Sequence, residues 1–337
     1  MKGVWMAKSA QELLDRLVKA GSRIEPMLGE LFPPRLEDHL SAPFWHHMKT
    51  GGKRIRPALC LVTCEALGGK SDDALPFAAA VEILHNMFLI HDDLEDGDTV
   101  RRDAPTVWVE FGQADAINVG DYMLGRAVTA ILRSPVEART LLRLLSAFTD
   151  TYEQTCRGQA LDINSRGRED FTVEHYMEMV TLKTGHYFVL GMVGGAIVAG
   201  LDDKGIAQIQ GLGTTMGPAF QIRDDMIDLT EGKGRGGALG CDIREGKPSI
   251  LYAHALSQAS ARDKKRLIAV MRKPRAETTD EDVEAVTDLY GRLGSLEFAR
   301  TKADELVEQA FSTIERMPVA NKDFFRSVAR FMAERTT

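Results

Sequence analysis

Five acidic side chains fall within the seven residues from Asp92 to Asp98, in the stretch HDDLEDGDTVRR that runs from His91 to Arg102. The preceding run, AVEILHNMFLI, is mostly apolar, so the acidic cluster sits at the end of a helix expected to be buried. On a helix, Asp92 and Asp96 lie one turn apart and share a face. Two carboxylates about 4 Å apart repel by roughly 4 kcal/mol at an effective dielectric of about 20. That repulsion has no structural benefit unless a cation or protons sit between the groups.

A second cluster repeats the spacing. In RDDMIDL, Asp224, Asp225 and Asp228 are placed i, i+1, i+4, as are Asp92, Asp93 and Asp96. It too ends a mostly apolar helix, and two such helices side by side would face two carboxylate rows across one cavity. Oxygen-only ligands favour a hard cation, Mg²⁺ before Ca²⁺, and neither cluster has the twelve-residue calcium-loop pattern. Mg²⁺ usually takes one or two carboxylates and fills its other positions with water and substrate phosphates. A phosphorylated substrate follows. One such motif alone is more often a solvated helix end; the repeated spacing favours the metal.

Cations collect at separate places. GGKRIRP sets Lys53, Arg54 and Arg56 before a helix expected near Pro57. Cations at a helix N-terminus oppose its dipole by about 0.3–1 kcal/mol each, and a bound anion reverses the sign. Arg101 and Arg102 follow the first acidic cluster, where they read either as a favourable helix C-terminus or as grips on phosphate. Lys183 and Thr184 interrupt an apolar helix, and a buried lysine needs a partner. Lys247 follows a glycine-rich loop. His85 stands two turns before Asp92 on the same face, either as a core histidine or as part of the site.

The elements that must position these groups are helical nearly throughout. Apolar residues recur three and four apart in AQELLDRLVKAGSRIEPML, and RPALCLVTCEALGG reads as an apolar helix ended by Gly68 and Gly69. ALPFAAAVEILHNMFLIHDDLED is apolar on most faces and belongs in the centre. A helix is expected to begin around Asp115, and another is expected to be capped by Ser134 with Pro135 in its first turn. No strand alternation of useful length appears. The expected fold is all-α, a hydrophobic bundle read as one domain over residues 1–337.

Composition narrows the function. The chain has 337 residues, 44% hydrophobic and 27% charged, with a net charge of -7 that argues against nucleic acid. The four cysteines form no secreted framework, and Cys60 and Cys64 lie i, i+4 in an apolar run as buried thiols. No cleavable leader pattern and no membrane span are read, so a cytoplasmic location is expected.

Taken together these residues resemble the trans-isoprenyl diphosphate synthase (polyprenyl synthetase) family. The matching segments occur in family order: GGKRIRP at Gly51–Pro57, HDDLED with the arginine pair at His91–Arg102, GQALD at Gly158–Asp162, KTG at Lys183–Gly185, FQIRDDMID at Phe220–Asp228 and GCDIREGK at Gly240–Lys247. FMAER near the C-terminus is a weaker match. The resemblance implies an isoprenoid synthase bundle around a deep apolar cavity, usually a homodimer, with three Mg²⁺ ions on the diphosphate of an allylic substrate. Carried over, Asp92, Asp96 and Asp224 are direct metal ligands; Asp93, Asp225 and Asp228 act through water or as supporting partners. Arg101, Lys183 and Lys247 bind the allylic diphosphate. Lys53, Arg56, His85 and Arg102 bind isopentenyl diphosphate. Thr184 and Gln221 line the carbocation region. The reaction implied is ionisation of a dimethylallyl, geranyl or farnesyl diphosphate, attack by isopentenyl diphosphate, and loss of a proton, with the metal and cations stabilising the leaving group.

Two departures stand out. Gly237 occupies the place of a family lysine, for which Lys233 or Arg235 could substitute, and Asp103 follows the arginine pair where glycine is common. Asp tolerates a left-handed backbone better than most residues. For product length, Phe88 lies one turn below Asp92 with Met87 beside it, both bulky where long-chain members resemble one another in having small residues. A floor that stops growth early is expected, at geranylgeranyl diphosphate with farnesyl diphosphate as the alternative. Other classes remain. A terpene cyclase typically carries an N/D-x-x-S/T-x-x-x-E motif second, where this chain has DDMID. A di-iron bundle wants two Glu-x-x-His pairs, and only Glu82–His85 fits. A non-catalytic synthase subunit sits poorly with two complete aspartate motifs.

Overall fold

The computed structural model describes residues 10–34, 39–230, 239–319 and 321–333. The described residues are predominantly helical, as the periodicity of the sequence requires. In order the helices are α1 (Ala10–Gly21), α2 (Glu25–Leu31), α3 (Ser41–Lys49), α4 (Ile55–Ala66), α5 (Ser71–Glu95), α6 (Val107–Phe111), α7 (Gln113–Leu132), α8 (Ala138–Ser165), α9 (Val173–Val180), α10 (His186–Val198), α11 (Asp203–Thr230), α12 (Cys241–Arg244), α13 (Ile250–Gln258), α14 (Ala261–Met271), α15 (Asp280–Arg292), α16 (Ser295–Arg316) and α17 (Lys322–Ala333). Among the described residues the only strands are β1 (Val100–Arg101) and β2 (Ala104–Pro105), a two-residue hairpin.

Contacts group the chain into two compact units. The first comprises Met1–Asp150, Val189–Gln210 and Met317–Val328; the second comprises Thr151–Phe188, Gly211–Arg316 and Ala329–Thr337.

In the first unit α5 is central. It packs against α7 and α4, and α4 packs against α1. Phe77, Ala78, Val81, Ile83, Leu84, Met87 and Ile90 of α5 are all buried. Length and apolar composition alone would let α5 cross a membrane, which corrects the reading that no stretch could; its apolar window is 72% buried inside the protein, and this burial accounts for its composition. Glycines set how closely other helices approach. A Cβ on Gly191 or Gly195 of α10 would collide with the carbonyl oxygens of Arg56 and Cys60 in α4. One on Gly194 would enter the Phe77 ring, and one on Gly120 of α7 would enter the His91 ring. Backbone therefore meets backbone where α10 crosses α4.

The second unit has its own apolar core, with Tyr176, Ile222, Tyr252, Leu267 and Tyr290 among its buried members. Here α13 packs against α16, α9 and α15. The helix expected to be interrupted near Lys183 is interrupted there: α9 and α10 are joined by a π-helical turn, Thr181–Gly185. Such turns widen the backbone ring and often mark functional positions.

Two boundaries differ from expectation. α8 begins at Ala138, so Ser134 and Pro135 do not cap it. The Ser134 N–H instead donates to the Ile131 carbonyl at 2.9 Å and closes the last turn of α7. α7 begins at Gln113 rather than Asp115, because α6 and the positive-φ Gly112 already turn the chain.

The glycine contrast gives a stability test. Gly195→Ala is expected to destabilise the protein by about 1–3 kcal/mol through overpacking. Gly211→Ala, whose added Cβ meets nothing within 4 Å in α11, should be neutral or stabilise by up to about 1 kcal/mol. Thermal denaturation of the two variants checks the opposite signs.

Candidate active site

The end of α5 shapes the first acidic cluster. Asp96 is the last residue with helical backbone, and Gly97 follows at φ +69°. The Gly97 N–H donates to the Leu94 carbonyl at 3.3 Å and the Asp98 N–H donates to the Asp93 carbonyl at 2.8 Å. This paired closure satisfies the last carbonyls and reverses the chain. Asp98 is thereby buried, and its carbonyl accepts from Trp108 Nε1 at 2.7 Å and Thr106 Oγ1 at 2.8 Å. The hairpin that follows has φ +52° at Arg102 and +62° at Asp103. Left-handed backbone at both central residues is the geometry a two-residue hairpin needs. Asp103 makes the turn where a glycine was the commoner choice.

That hairpin sends adjacent arginines to different partners. Arg101 contacts Asp93 Oδ1 through Nε and Nη2, both at 2.5 Å. Its Nη2 is also 3.7 Å from Asp98 and 4.0 Å from Asp92. One guanidinium thus answers three carboxylates. Burial pushes the Asp93 carboxyl up to about 7, against the pull of Arg101 and with the help of Asp92 and Asp98. Asp93 Oδ2 has no hydrogen-bond partner among the described residues. Asp96 is buried, while Asp92 keeps a partly open face.

Arg102 instead donates through Nη1 to the carbonyl of Gly51, in the basic loop. Burial and the neighbouring Arg101, Arg54 and Arg56 hold its guanidinium below the usual range. α4 begins at Ile55 rather than near Pro57, so Arg56 lies in its first turn, and Arg56 Nη1 is 3.4 Å from His85 Nε2. Burial first, and then Arg56 and Arg102, keep His85 neutral. Lys53 is exposed. The structure thus brings neutral His85 to Arg56 and sends Arg102 to the loop that carries Lys53. Arg54 lies near Arg102 but is bound by glutamates. It is the left-handed N-cap of α4, and its guanidinium binds Glu25 at 3.0 Å and Glu82 at 3.1 Å.

In the second unit the π-turn is the organising feature. A Cβ on Gly158 of α8 would collide with the Lys183 backbone, so α8 lies directly on the turn. One turn further along α8, Asp162 meets Lys183 Nζ at 2.5 Å. α11 touches the turn in the same way: a Cβ on Gly217 would meet Gly185, and one on Gly185 would meet the Gly213 carbonyl. Gln221 follows on that face; Thr184 Oγ1 donates to its Oε1 at 3.4 Å, and its Nε2 donates to Asp225 Oδ1 at 3.0 Å. Tyr176 of α9 donates to Asp225 Oδ2 at 2.7 Å. Asp228 is buried and accepts from the Asp242 N–H at 3.0 Å. Asp224 is half-buried on the same helix end. Lys247 is 3.0 Å from the buried Glu245, which also holds Arg275 at 3.3 Å. Sequence reasoning missed Asp162, Tyr176 and Glu245 as partners of the expected site residues. Only Asp162 left a signal, four residues after Gly158 in GQALD. Gly237, Lys233 and Arg235 lie outside the described residues.

A family model described as polyprenyl synthetase matches residues 37–290. The chain is 33% identical over 326 residues to a short chain isoprenyl diphosphate synthase of Methanothermobacter thermautotrophicus, covering 96% of this chain and 99% of the relative. It is 34% identical over 281 residues to a geranylgeranyl diphosphate synthase of Saccharolobus solfataricus, covering 82% and 84%. Among solved structures, a geranylgeranyl pyrophosphate synthetase from Pyrococcus horikoshii superposes with a TM-score of 0.87 at 32% identity, covering 96% of this chain and 99% of that one.

The buried histidines predict an acid response. Burial, with Arg101 and Arg102 nearby, pushes His47 down to about 3. A histidine held neutral in the fold binds fewer protons than in the unfolded chain, so its contribution is complete above the unfolded value of about 6.5 and is lost as pH falls towards 3. The Asp93 shift runs the other way and is common to all variants compared. Urea denaturation should therefore show a shallower loss of stability from pH 6.5 to 4 in His47→Gln than in the wild type.

Proposed function

The chain belongs to the polyprenyl synthetase family and is a chain-elongating prenyltransferase, and we propose that it condenses isopentenyl diphosphate with an allylic diphosphate to give geranylgeranyl diphosphate. One observation carries the two-substrate reading. Consecutive residues of one rigid hairpin reach a carboxylate cluster and a cationic loop, Arg101 to the first and Arg102 to the second. Two diphosphates would then bind on either side of one short turn, with their reacting carbons close together.

Divalent metal fits the donor set. The ligands offered are carboxylate oxygens, and Asp93 carries a buried oxygen without a hydrogen-bond partner among the described residues. An oxygen donor set suits Mg²⁺, which keeps water and substrate phosphate in its shell. Asp92, Asp96 and Asp224 would hold the metal directly, with Asp93, Asp225 and Asp228 supporting them, and three ions are proposed. When bound, Mg²⁺ supplies Lewis-acid stabilisation of the departing diphosphate.

The remaining steps belong to the chain. Arg101, Lys183 and Lys247 would bind the allylic diphosphate. Each is now held by carboxylates, Asp93, Asp162 and Glu245, which fix their position before the anion arrives. Lys53, Arg56, Arg102 and neutral His85 would bind the diphosphate of isopentenyl diphosphate. Thr184 and Gln221 would place hydroxyl and amide dipoles beside the carbocation. No side chain stands out as a general base, so the released diphosphate would take the final proton. Met87 is buried in α5 and Phe88 is partly open one turn from Asp92, which favours Phe88 as the floor and Met87 as its support. A cytoplasmic homodimer is proposed from the resemblance, and the exposed Val109 and Ile117 on α6 and α7 support a subunit interface there.

The direct test is purified protein with Mg²⁺, isopentenyl diphosphate and each allylic primer, with product lengths read by chromatography. A twenty-carbon product is expected, and no turnover with any primer overturns the proposal. A hydrocarbon formed from allylic diphosphate alone would indicate a cyclase. Asp92→Asn and Asp224→Asn should each lower kcat by about 10²–10³-fold or more. Phe88→Ala should lengthen the product, and unchanged products in both Phe88→Ala and Met87→Ala would place the floor elsewhere.

A further inference from the structure

The loop that carries Lys53 and leads into Arg56 at the start of α4 is held by a chain of buried polar groups that the expected site does not include. Glu82 is buried, and its Oε1 accepts both from Arg54 Nη1 at 3.1 Å and from Asn86 Nδ2 at 3.0 Å. Asn86 is fully buried, and Nδ2 also donates to the Glu82 carbonyl at 2.8 Å. Its Oδ1 faces His47 Nε2 at 3.1 Å, so neutral His47 donates to it. His47 lies in the last turn of α3, and its carbonyl accepts from Thr50 N at 3.2 Å and Oγ1 at 2.8 Å. Arg54 caps α4 with left-handed backbone at φ +50°. The segment from Thr50 to Arg54 is therefore tied at both ends to two side chains one turn apart on α5.

The placement has two consequences. Glu82 and Asn86 flank His85 on the same face of α5, and His85 meets Arg56. The helix that carries Asp92 in its last turns thus also sets the distance to the cationic loop. In addition, Glu25 and Glu82 both engage Arg54, so its charge is neutralised in place and withheld from any anion bound by its neighbours. A left-handed, non-glycine residue persists only where its surroundings hold it. Gly21 of α1 packs against the Arg54 backbone, and a Cβ there would lie 2.5 Å from the Arg54 carbonyl oxygen.

We infer that Glu82 and Asn86 are positioning residues for the isopentenyl diphosphate site, acting through Arg54 and His47 to hold Lys53 and Arg56 in register with the metal-binding end of α5. This rests on the proposed binding of that diphosphate by Lys53, Arg56, His85 and Arg102.

Steady-state kinetics on the full chain with Mg²⁺ tests it. Glu82→Gln should raise KM for isopentenyl diphosphate on the order of tenfold, with KM for the allylic primer unchanged and kcat little altered. The double variant Arg54→Gln, Glu82→Gln replaces the ion pair by an amide pair and should recover part of that loss, a coupling that independent sites do not show. Should Glu82→Gln fail to fold, Arg54→Gln alone reports the same KM shift. Equal rises in both KM values, or a change only in melting temperature, overturns the inference. Arg56→Ala separates the two levels: if it raises KM for isopentenyl diphosphate and neither Glu82→Gln nor Arg54→Gln does, the inference falls alone; if none does, the site assignment falls with it.

Discussion

Carboxylates crowded at the end of α5 repel one another, and much of the first unit is arranged around that repulsion. Three of them are answered by one guanidinium, Arg101. Burial, with smaller contributions from Asp92 and Asp98, still pushes Asp93 up to about 7 against the pull of that cation. A site that holds excess negative charge in a low-dielectric setting has a standing affinity for cations. The metal and the diphosphate of the proposed reaction meet that demand together, one supplying positive charge and the other completing the metal's shell.

The cationic loop presents the opposite imbalance. Burial first, and then the neighbouring Arg101, Arg54 and Arg56, hold Arg102 below its usual range. The protein keeps the opposed clusters apart by giving each a structural partner. Arg54 goes to glutamates, Arg101 goes to aspartates, and Arg102 binds backbone. The same logic recurs in the second unit, where Asp162 holds Lys183 and Glu245 holds Lys247. Buried charges that are already paired can exchange partners with an incoming ligand at a smaller desolvation penalty than unpaired ones.

Close helix packing makes such placement possible. Gly191 and Gly195 let α10 rest on α4, and Gly158, Gly185 and Gly217 let α8 and α11 touch the π-turn. Interiors packed at this density transmit small displacements rather than absorb them. Lys183, Thr184 and Gln221 are therefore located by backbone contact more than by their own rotamers.

Much of this was legible in the residues alone. The i, i+1, i+4 spacing at Asp92 and Asp224, the helical periodicity and the interruption at Lys183 are local properties, and local chemistry decides them. The left-handed turn at Asp103 follows from the tolerance of that side chain, and the structure has it. What the tertiary structure decided is which charges face which. Arg54 and Arg56 are two residues apart in one basic motif, yet one is bound to glutamates from two other helices and the other points to His85. Arg101 and Arg102 are adjacent and serve different clusters, because a two-residue hairpin turns their side chains apart. Ser134 closed α7 instead of opening α8, since its N–H found the Ile131 carbonyl first. Tyr176 and Asp225 meet across 49 residues of sequence. Spacing fixes the face on which a side chain stands, but its partner is set by how helices distant in sequence pack, and a single sequence carries no direct signal of that.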